Sequence, residues 1–475
     1  MTGPSTGAER TVLRWEFARP RLGSRKWLLP VLTVILLRLL SGCAQTGPGP
    51  QHPNLIIVLV DTLRSDHLHY HGYHRETSPR IDALARDSQV FLNHYSTASR
   101  TGPAVASLFT GLHVRSHGVI NPLTHFDAKG VLGDKQTTLA EILSASGYEC
   151  FGFVSNYNAS ARFGFAQGFK TYEYVRSTKA GDLNREAFEL LGAQVRQPFF
   201  LYLHYMDPHS PYFAPGDYRS LYVDPEYRGP ITGSHGQLDE IVAGRLEVDS
   251  SDVAHMEAIY DQEIRYFDDQ FGRLLGFLGD QDLRDNTILV FVADHGEEFL
   301  DHGSVLHGYT LYEEQLRVPF FVHDPRRRQP REIEAITRHV DVLPTVLDLL
   351  AIEYDGVHQG RSLISLLDGA PGDDVKPEVF AEASLMAVKT IRMRSLLSDD
   401  WKLIETLIPF QRVELYNVRV DSLELRDLAE DEPQVTAELR ERMEELIRSY
   451  PAAGPEVVRL SEEEIEKLRA LGYIK

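Results

Sequence analysis

The chain has 475 residues, 43% of them hydrophobic, and a formal net charge of −20. That length and composition suffice for a large core, and the acidic balance speaks against a nucleic-acid partner and against broad adhesion to anionic membranes. An anionic small molecule stays admissible, because a bound cation reverses the local field of an acidic protein.

The amino terminus has its own pattern. Arg10, Arg14, Arg19, Arg21, Arg25 and Lys26 precede Trp27–Leu40, which is apolar except for Thr33 and Arg38. The run is short for a membrane span and fits the apolar region of an export signal. It closes on LSGC, Leu40–Cys43, which resembles the bacterial lipoprotein box. Residues 1–43 therefore read as a lipoprotein signal with Cys43 as the lipidated residue, and residues 44–53, AQTGPGPQHP, as a flexible tether. The expected location is a membrane, reached through the lipid anchor. Ala44 rather than Asp after Cys43 favours the outer membrane, facing the periplasm or the cell surface. Cys150, the other cysteine, lies in an apolar run and reads as a small buried hydrophobe, so no disulfide framework exists.

Residues 54–370 alternate strand-like and helix-like stretches, the mark of an α/β layer structure. Asn54–Asp61, NLIIVLVD, is a continuous apolar run ending on a carboxylate, as expected of a central parallel strand covered on both faces. Ser78-Pro79 opens a capped amphipathic helix. Val90–Tyr95 and Gly147–Val154 are strands, the second leading to Asn156 in a loop. Thr101–Gly111, TGPAVASLFTG, reads as a helix whose first position is taken by Pro103, with the Thr101 hydroxyl held just ahead of it. Glu186–Gln194 has helical spacing, and Pro198–Asp207 is another buried strand. Tyr218–Val248 is irregular. Asp252–Leu278 is a long helix whose acidic residues read as a solvated face. Thr287–His295, TILVFVADH, is a second strand ending on acid, and Glu297 and Glu298 then read either as partners supporting site residues or, more commonly, as helix-start residues. Val318–His323 is a strand and Val340–Leu350 a helix. Beyond the DGAPGDD break, residues 371–475 form a C-terminal subdomain. In it VFAEA, WKLIE and VELYN make a small antiparallel sheet, followed by helices over Val435–Tyr450 and Ser461–Leu471.

Ligands of open α/β sheets bind beyond the carboxyl ends of the strands. That rule brings Asp61, Asp294, His295 and Thr101 to one sheet edge, and two carboxylates, an imidazole and a hydroxyl suit a divalent metal ion. At the start of a helix, free N–H groups and the positive dipole end favour an alkoxide or an anion.

The chain resembles the sulfatase branch of the alkaline phosphatase superfamily. The resemblance is carried in order by PNLIIVLVDTLRSDHL, TSPRIDALA, TGPAVASLFTG, FLYLHYMDPHSPY, VADHGEEFLDHG, LHGYTLYEEQLRVPF, VDVLPTVLDLL and the closing LRALGY. It implies an α/β/α sandwich with a mostly parallel central sheet, a bound divalent cation, and hydrolysis of sulfate or phosphate esters. It places His209 on the ester oxygens and His307 near the leaving-group oxygen, with His302 as a competitor that spacing does not separate. His204 and Asp207 read as structural.

The departures from that family carry as much. Thr101 stands where a sulfatase has the Cys or Ser that is oxidised to formylglycine. Its extra methyl on Cβ prevents oxidation to an aldehyde, and Ser99 is two residues out of register. Val105 replaces the Arg of the motif, and Thr62 replaces the second of the paired Asp residues. These changes resemble the phosphoesterase and phosphotransferase members, in which an unmodified Thr attacks and ligates the metal. His295 in place of Asn favours manganese or zinc, with calcium admitted. The expected function is phosphoester hydrolysis by Thr101 on an anionic ester, borne by a glycan or a lipid headgroup. Sulfate-ester hydrolysis, transfer to an alcohol acceptor, and a surface lipoprotein that binds without turnover are the alternatives.

Overall fold

The structure, a computed structural model, describes residues 52–120, 127–193, 195–370, 378–386 and 388–470. The signal, Cys43 with its lipoprotein box and the tether through residue 51 lie outside the described residues, as does the end of the closing LRALGY motif. From His52 onward the chain forms one compact unit. Among the described residues no helix is long and apolar enough to cross a membrane.

Eight strands build the central sheet: β1 (Asn54–Val60), β2 (Gln89–Tyr95), β3 (Glu149–Val154), β4 (Thr171–Tyr174), β5 (Phe199–Tyr205), β6 (Thr287–Ala293), β7 (Phe320–His323) and β8 (Arg331–Arg338). Their spatial order is β8-β2-β7-β6-β1-β5-β3-β4. Only β7 runs antiparallel to its neighbours; the other pairs are parallel. Every residue of β1 is buried, and successive side chains point to opposite faces. Ile56, Val58 and Val60 enter one core with helices α1 (Pro79–Arg86), α4 (Ala180–Gly192) and α5 (Ser250–Asp280). Leu55, Ile57 and Leu59 enter the other with α2 (Thr101–Thr110), α3 (Leu139–Ala145) and α6 (Val342–Leu349). This is the expected α/β/α sandwich.

A four-stranded antiparallel sheet follows: β9 (Val379–Met386), β10 (Thr390–Ser398), β11 (Trp401–Ile408) and β12 (Arg412–Asn417). The sequence reading missed β10. Phe380, Leu396, Leu403 and Leu415 face α7 (Pro433–Ser449), while Val379, Ala381, Ala383 and Ile404 join the core of the large domain.

Several expectations change. Helix α2 begins at Thr101 itself, with Arg100 as the flanking residue, so Pro103 is third in the helix rather than first. The first turn has no intrahelical use for that N–H, which is why the ring is tolerated there. Ser78 does not cap α1; Asp268 of α5 does, accepting from the amides of Arg80 and Ile81, each at 2.8 Å. The irregular Tyr218–Val248 stretch holds a helix over His235–Val242.

The acidic residues of α5 are not a solvated face. Asp261 is buried against His67 at 2.8 Å and Arg75 at 2.7 Å, and Glu263 against Lys179 at 2.8 Å. Helical periodicity marks a face as polar, but the loops that return over it decide whether water reaches it.

Candidate active site

The carboxyl ends of β1 and β6 lie side by side, with Val60 opposite Ala293. Asp61 and Asp294 are the next residues in each strand, and both are fully buried. The backbone turns sharply after Asp61. Thr62 has φ +55°, a strained region for a β-branched residue. That turn aims the Thr62 amide at Asp294 Oδ1, at 3.1 Å. Its side chain contributes nothing comparable: Oγ1 is buried with no hydrogen-bond partner among the described residues. On the other strand the chain passes tightly over Gly296, where a Cβ would lie 1.8 Å from the Glu314 carbonyl oxygen, so only glycine fits.

Thr101 enters from the first turn of α2. Its hydroxyl lies 3.5 Å from His295 Nε2 and 3.2 Å from Asn156 Nδ2. The Asn156 amide also donates to Asp61 Oδ2, which His204 Nε2 approaches at 3.1 Å. His295 Nε2 is 3.3 Å from Asp294 Oδ2 and 4.0 Å from Asp61 Oδ1. Its other nitrogen, Nδ1, meets the Gly296 carbonyl at 2.9 Å and therefore carries the proton of the neutral ring. The Nε2 lone pair then faces oxygens alone.

Asp61 Oδ1 and Asp294 Oδ2 are buried without hydrogen-bond partners among the described residues. Asp61, Asp294 and His295 each offer a ligand atom within 4.8 Å of the others. Burial pushes the Asp61 carboxyl up to about 6, against the pull of His295 and Asn156. Asp294 also rises to about 6, first from burial and then from the Asp61 charge. Two orphaned carboxylate oxygens and an inward imidazole lone pair are the donors a divalent cation satisfies, so the residues fit a metal ion.

The remaining candidates close the site from the other side. The His307 ring lies 4.4 Å from that of His295 and 4.9 Å from that of His209, centroid to centroid. His307 Nδ1 is held at 3.0 Å by Glu297 Oε1, whose other oxygen accepts from the Tyr212 hydroxyl at 3.0 Å. His209 Nδ1 donates to the Ser210 carbonyl at 2.6 Å. Burial holds both imidazoles well below their usual range, and the neighbouring Arg100 charge adds to it. The structure thus brings Asp61, Thr101, Asp294, His295, His209 and His307 together.

His302 belongs elsewhere: it stacks on Tyr312 at 3.6 Å and bonds Glu314 at 2.9 Å. Glu297 is no helix-start residue, since it holds His307. Glu298 lies in a short β ribbon, where it accepts from the Ser304 amide at 2.7 Å.

Two neighbours, His204 and Arg100, escaped the sequence reading, and Glu297 follows the first of its two readings. His204 touches Asp61 directly, from an inward position of β5 beside β1. Glu297 orients His307. Arg100 is nearly buried, and its aliphatic stem lies against Gly308, so a Cβ there would meet Arg100 Cγ at 2.9 Å. The motif that directed attention to Val105 concealed it; adjacency to Thr101 was the available signal.

A family model described as Sulfatase matches residues 53–352, and one for the C-terminal part of N-sulphoglucosamine sulphohydrolase matches residues 302–449. The chain belongs to the sulfatase family. It is 24% identical over 383 residues to an arylsulfatase of Clostridium perfringens, covering 66% of this chain and 78% of the relative. It is 25% identical over 411 residues to the multifunctional alkaline phosphatase superfamily protein PehA of Trinickia caryophylli, covering 67% and 78%. The fold is that of the phosphonate monoester hydrolase of Agrobacterium radiobacter, with TM-score 0.68, 19% identity, and 84% and 96% of the two chains covered. This sulfatase-family protein is accordingly an ester hydrolase of a metal-dependent family. The reading as a binding protein without turnover loses its ground.

Proposed function

We propose that this sulfatase-family hydrolase cleaves phosphoesters with the Thr101 hydroxyl as nucleophile. The carrying observation is a threonine, which no oxidation turns into formylglycine, placed 3.5 Å from His295 Nε2 beside two orphaned carboxylate oxygens. Asp61, Asp294, His295 and Thr101 would hold one divalent cation, which when bound lowers the hydroxyl pKa and neutralises charge on the transferring group. The imidazole favours manganese or zinc; the carboxylates also admit calcium.

Thr101 Oγ1 attacks phosphorus, the bond to the leaving alcohol breaks, and a phospho-Thr forms that water then hydrolyses. The charge of the bound ester protonates His209 at Nε2, which donates to a non-bridging oxygen, while Asn156 Nδ2 holds the Asp61 carboxylate and the Thr101 hydroxyl in place. The charge of the bound ester favours the His307 imidazolium over its buried neutral form, and that ring, held at Nδ1 by Glu297, hands the proton on Nε2 to the departing oxygen. The N-terminal end of α2 and the Arg100 guanidinium favour negative charge at Thr101. The substrate on this reading is an anionic ester borne by a glycan or a lipid headgroup.

The test is intact mass and metal content of the purified protein, with a panel of aryl phosphate mono- and diesters and aryl sulfates. We expect an unmodified Thr101, about one equivalent of manganese or zinc, and phosphoester turnover. Sulfate turnover alone overturns the choice of phosphorus. Phosphoryl transfer to added alcohols in preference to water makes the enzyme a transferase.

Anchoring through Cys43 in an outer membrane rests on the sequence. Palmitate labelling of the producing cells, lost in Cys43→Ala, supports it; labelling that survives the substitution refutes it.

A further inference from the structure

Each of the two strand-end carboxylates commits one oxygen to internal donors and leaves the other over. Asp294 Oδ1 accepts from the Thr62 amide at 3.1 Å and from the His295 amide at 2.9 Å. Asp61 Oδ2 accepts from His204 Nε2 at 3.1 Å and from the Asn156 side-chain amide. The opposite oxygens, Asp61 Oδ1 and Asp294 Oδ2, take no hydrogen bond among the described residues. On Asp294 both donors belong to the backbone. On Asp61 both are side chains, so there the sequence makes a choice.

The His204 donor is itself held. Strand register sets His204 beside Leu59 of β1, two residues before Asp61. Tyr202 and His204 stand two apart on β5 and so share one face of the strand. The Tyr202 hydroxyl lies 3.1 Å from His204 Nδ1. Burial pushes the imidazole down to about 4, so the ring is neutral. A carboxylate only accepts, which puts the ring hydrogen on Nε2 and leaves Nδ1 to accept from the Tyr202 hydroxyl. Tyr202, His204 and Asp61 are all fully buried, so water does not compete for these bonds.

A carboxylate with one oxygen held by two donors meets a cation through the other oxygen alone. Calcium gathers about six to eight oxygens, often both oxygens of one carboxylate. A smaller ion that accepts an imidazole needs fewer. We propose that His204, backed by Tyr202, is a positioning residue that keeps Asp61 a one-oxygen ligand and so turns the site toward manganese and away from calcium. The proposal rests on the reading of Asp61, Asp294 and His295 as the holders of the cation. It is independent of which ester is cleaved, and it narrows a choice of metal that the residue types alone leave open.

The experiment dialyses the purified protein against buffers that hold free manganese and calcium together in varied ratio, and counts the bound ions by mass spectrometry. Wild type should hold about one equivalent in total, with manganese preferred, and Asp61→Asn should lose most of it. In His204→Leu, Asn156 alone holds Oδ2 and the carboxylate can turn both oxygens to the ion. The bound manganese-to-calcium ratio should then fall about tenfold or more, the scale of removing a ligand's hydrogen-bond partner. His204→Gln, whose side-chain amide also offers a donor, should keep most of the wild-type ratio. A merely structural role for His204 would weaken both ions alike and leave the ratio where it was. An unchanged ratio in His204→Leu, an equal fall in His204→Gln, or a wild type that prefers calcium overturns the proposal. No binding in wild type, or binding that Asp61→Asn leaves whole, removes the cation site and the proposal with it. Should the leucine variant fail to fold, Tyr202→Phe decides. It keeps the ring but takes the donor from Nδ1, so its ratio should move toward calcium, and equality with wild type overturns the proposal.

Discussion

Thr101 is a residue whose chemistry depends on what surrounds it. A threonine hydroxyl is a weak nucleophile in water, and the same group beside Asp61, Asp294 and His295 is placed for activation. Thr101→Ala should therefore lower kcat by about a thousandfold or more, the scale seen when a nucleophile is removed. Thr101→Ser should keep a substantial fraction, because the hydroxyl and its position survive. A Thr101→Ala enzyme with near wild-type kcat would remove the residue from the mechanism. Asp61→Asn replaces one of the two orphaned carboxylates by a neutral amide. Its metal content by mass spectrometry should drop well below that of wild type, with the fold retained by circular dichroism. Thr101, Asp61, Asp294, His295, His209 and His307 were all readable from strand ends and motifs. Glu297 was readable as one of two alternatives; Arg100 and His204 were not, because their roles come from contacts between segments far apart in the chain. Nothing local in β5 says that His204 faces Asp61; the register between β1 and β5 says it.

At the scale of elements, hydrophobic pattern predicted strands and helices well, and it failed where another element supplied the missing partner. Helix α1 looks self-capped by Ser78, yet its first amides bond Asp268 from α5. Asp268→Ala should lower stability by about 0.5–2 kcal/mol, the cost of losing a cap. A shifted urea midpoint with unchanged slope would show it. An unchanged midpoint would mean that Ser78 takes over. The acidic face of α5 is the same lesson with a larger consequence. Carboxylates at helical spacing read as solvated until His67, Arg75 and Lys179 from other segments cover and neutralise them. Strand β10 was overlooked because arginines alternate with its apolar residues, and two of them, Arg392 and Arg394, lie opposite Ser384 and Glu382.

At the scale of the whole molecule, the C-terminal sheet is joined to the large domain by buried charge. Lys402 of β11 bonds Glu313 at 3.0 Å and Glu424 at 2.9 Å. His302 bridges Glu314 and the Glu424 carbonyl, at 2.9 and 3.1 Å. Burial alone would lower the His302 pKa, but the bond and charge of Glu314 outweigh it and hold the imidazole at about 9, above its ordinary 6.5. A group whose pKa rises on folding stabilises the fold below its unfolded pKa and loses that contribution as pH climbs through the folded value. The His302 contribution should thus be complete below about pH 6.5 and fade toward pH 9. The melting temperature of wild type should fall across that window, and that of His302→Gln should fall less. Equal slopes for the two would show that His302 carries none of the dependence.

The sequence by itself determined the layered fold and the family, and it named the residues that the fold gathers beyond the strand ends. Those depend on local patterns: apolar runs that must be buried on two faces, and acidic residues at the ends of strands whose direction the topology rules constrain. It also determined that Thr101 is not a formylglycine precursor, since that follows from one side chain's covalent structure. The tertiary structure decided which of His302 and His307 faces the site and which glutamate orients it. Those are matters of contact between residues up to hundreds of positions apart. They depend on strand register, loop return and side-chain direction, which no stretch of sequence encodes alone.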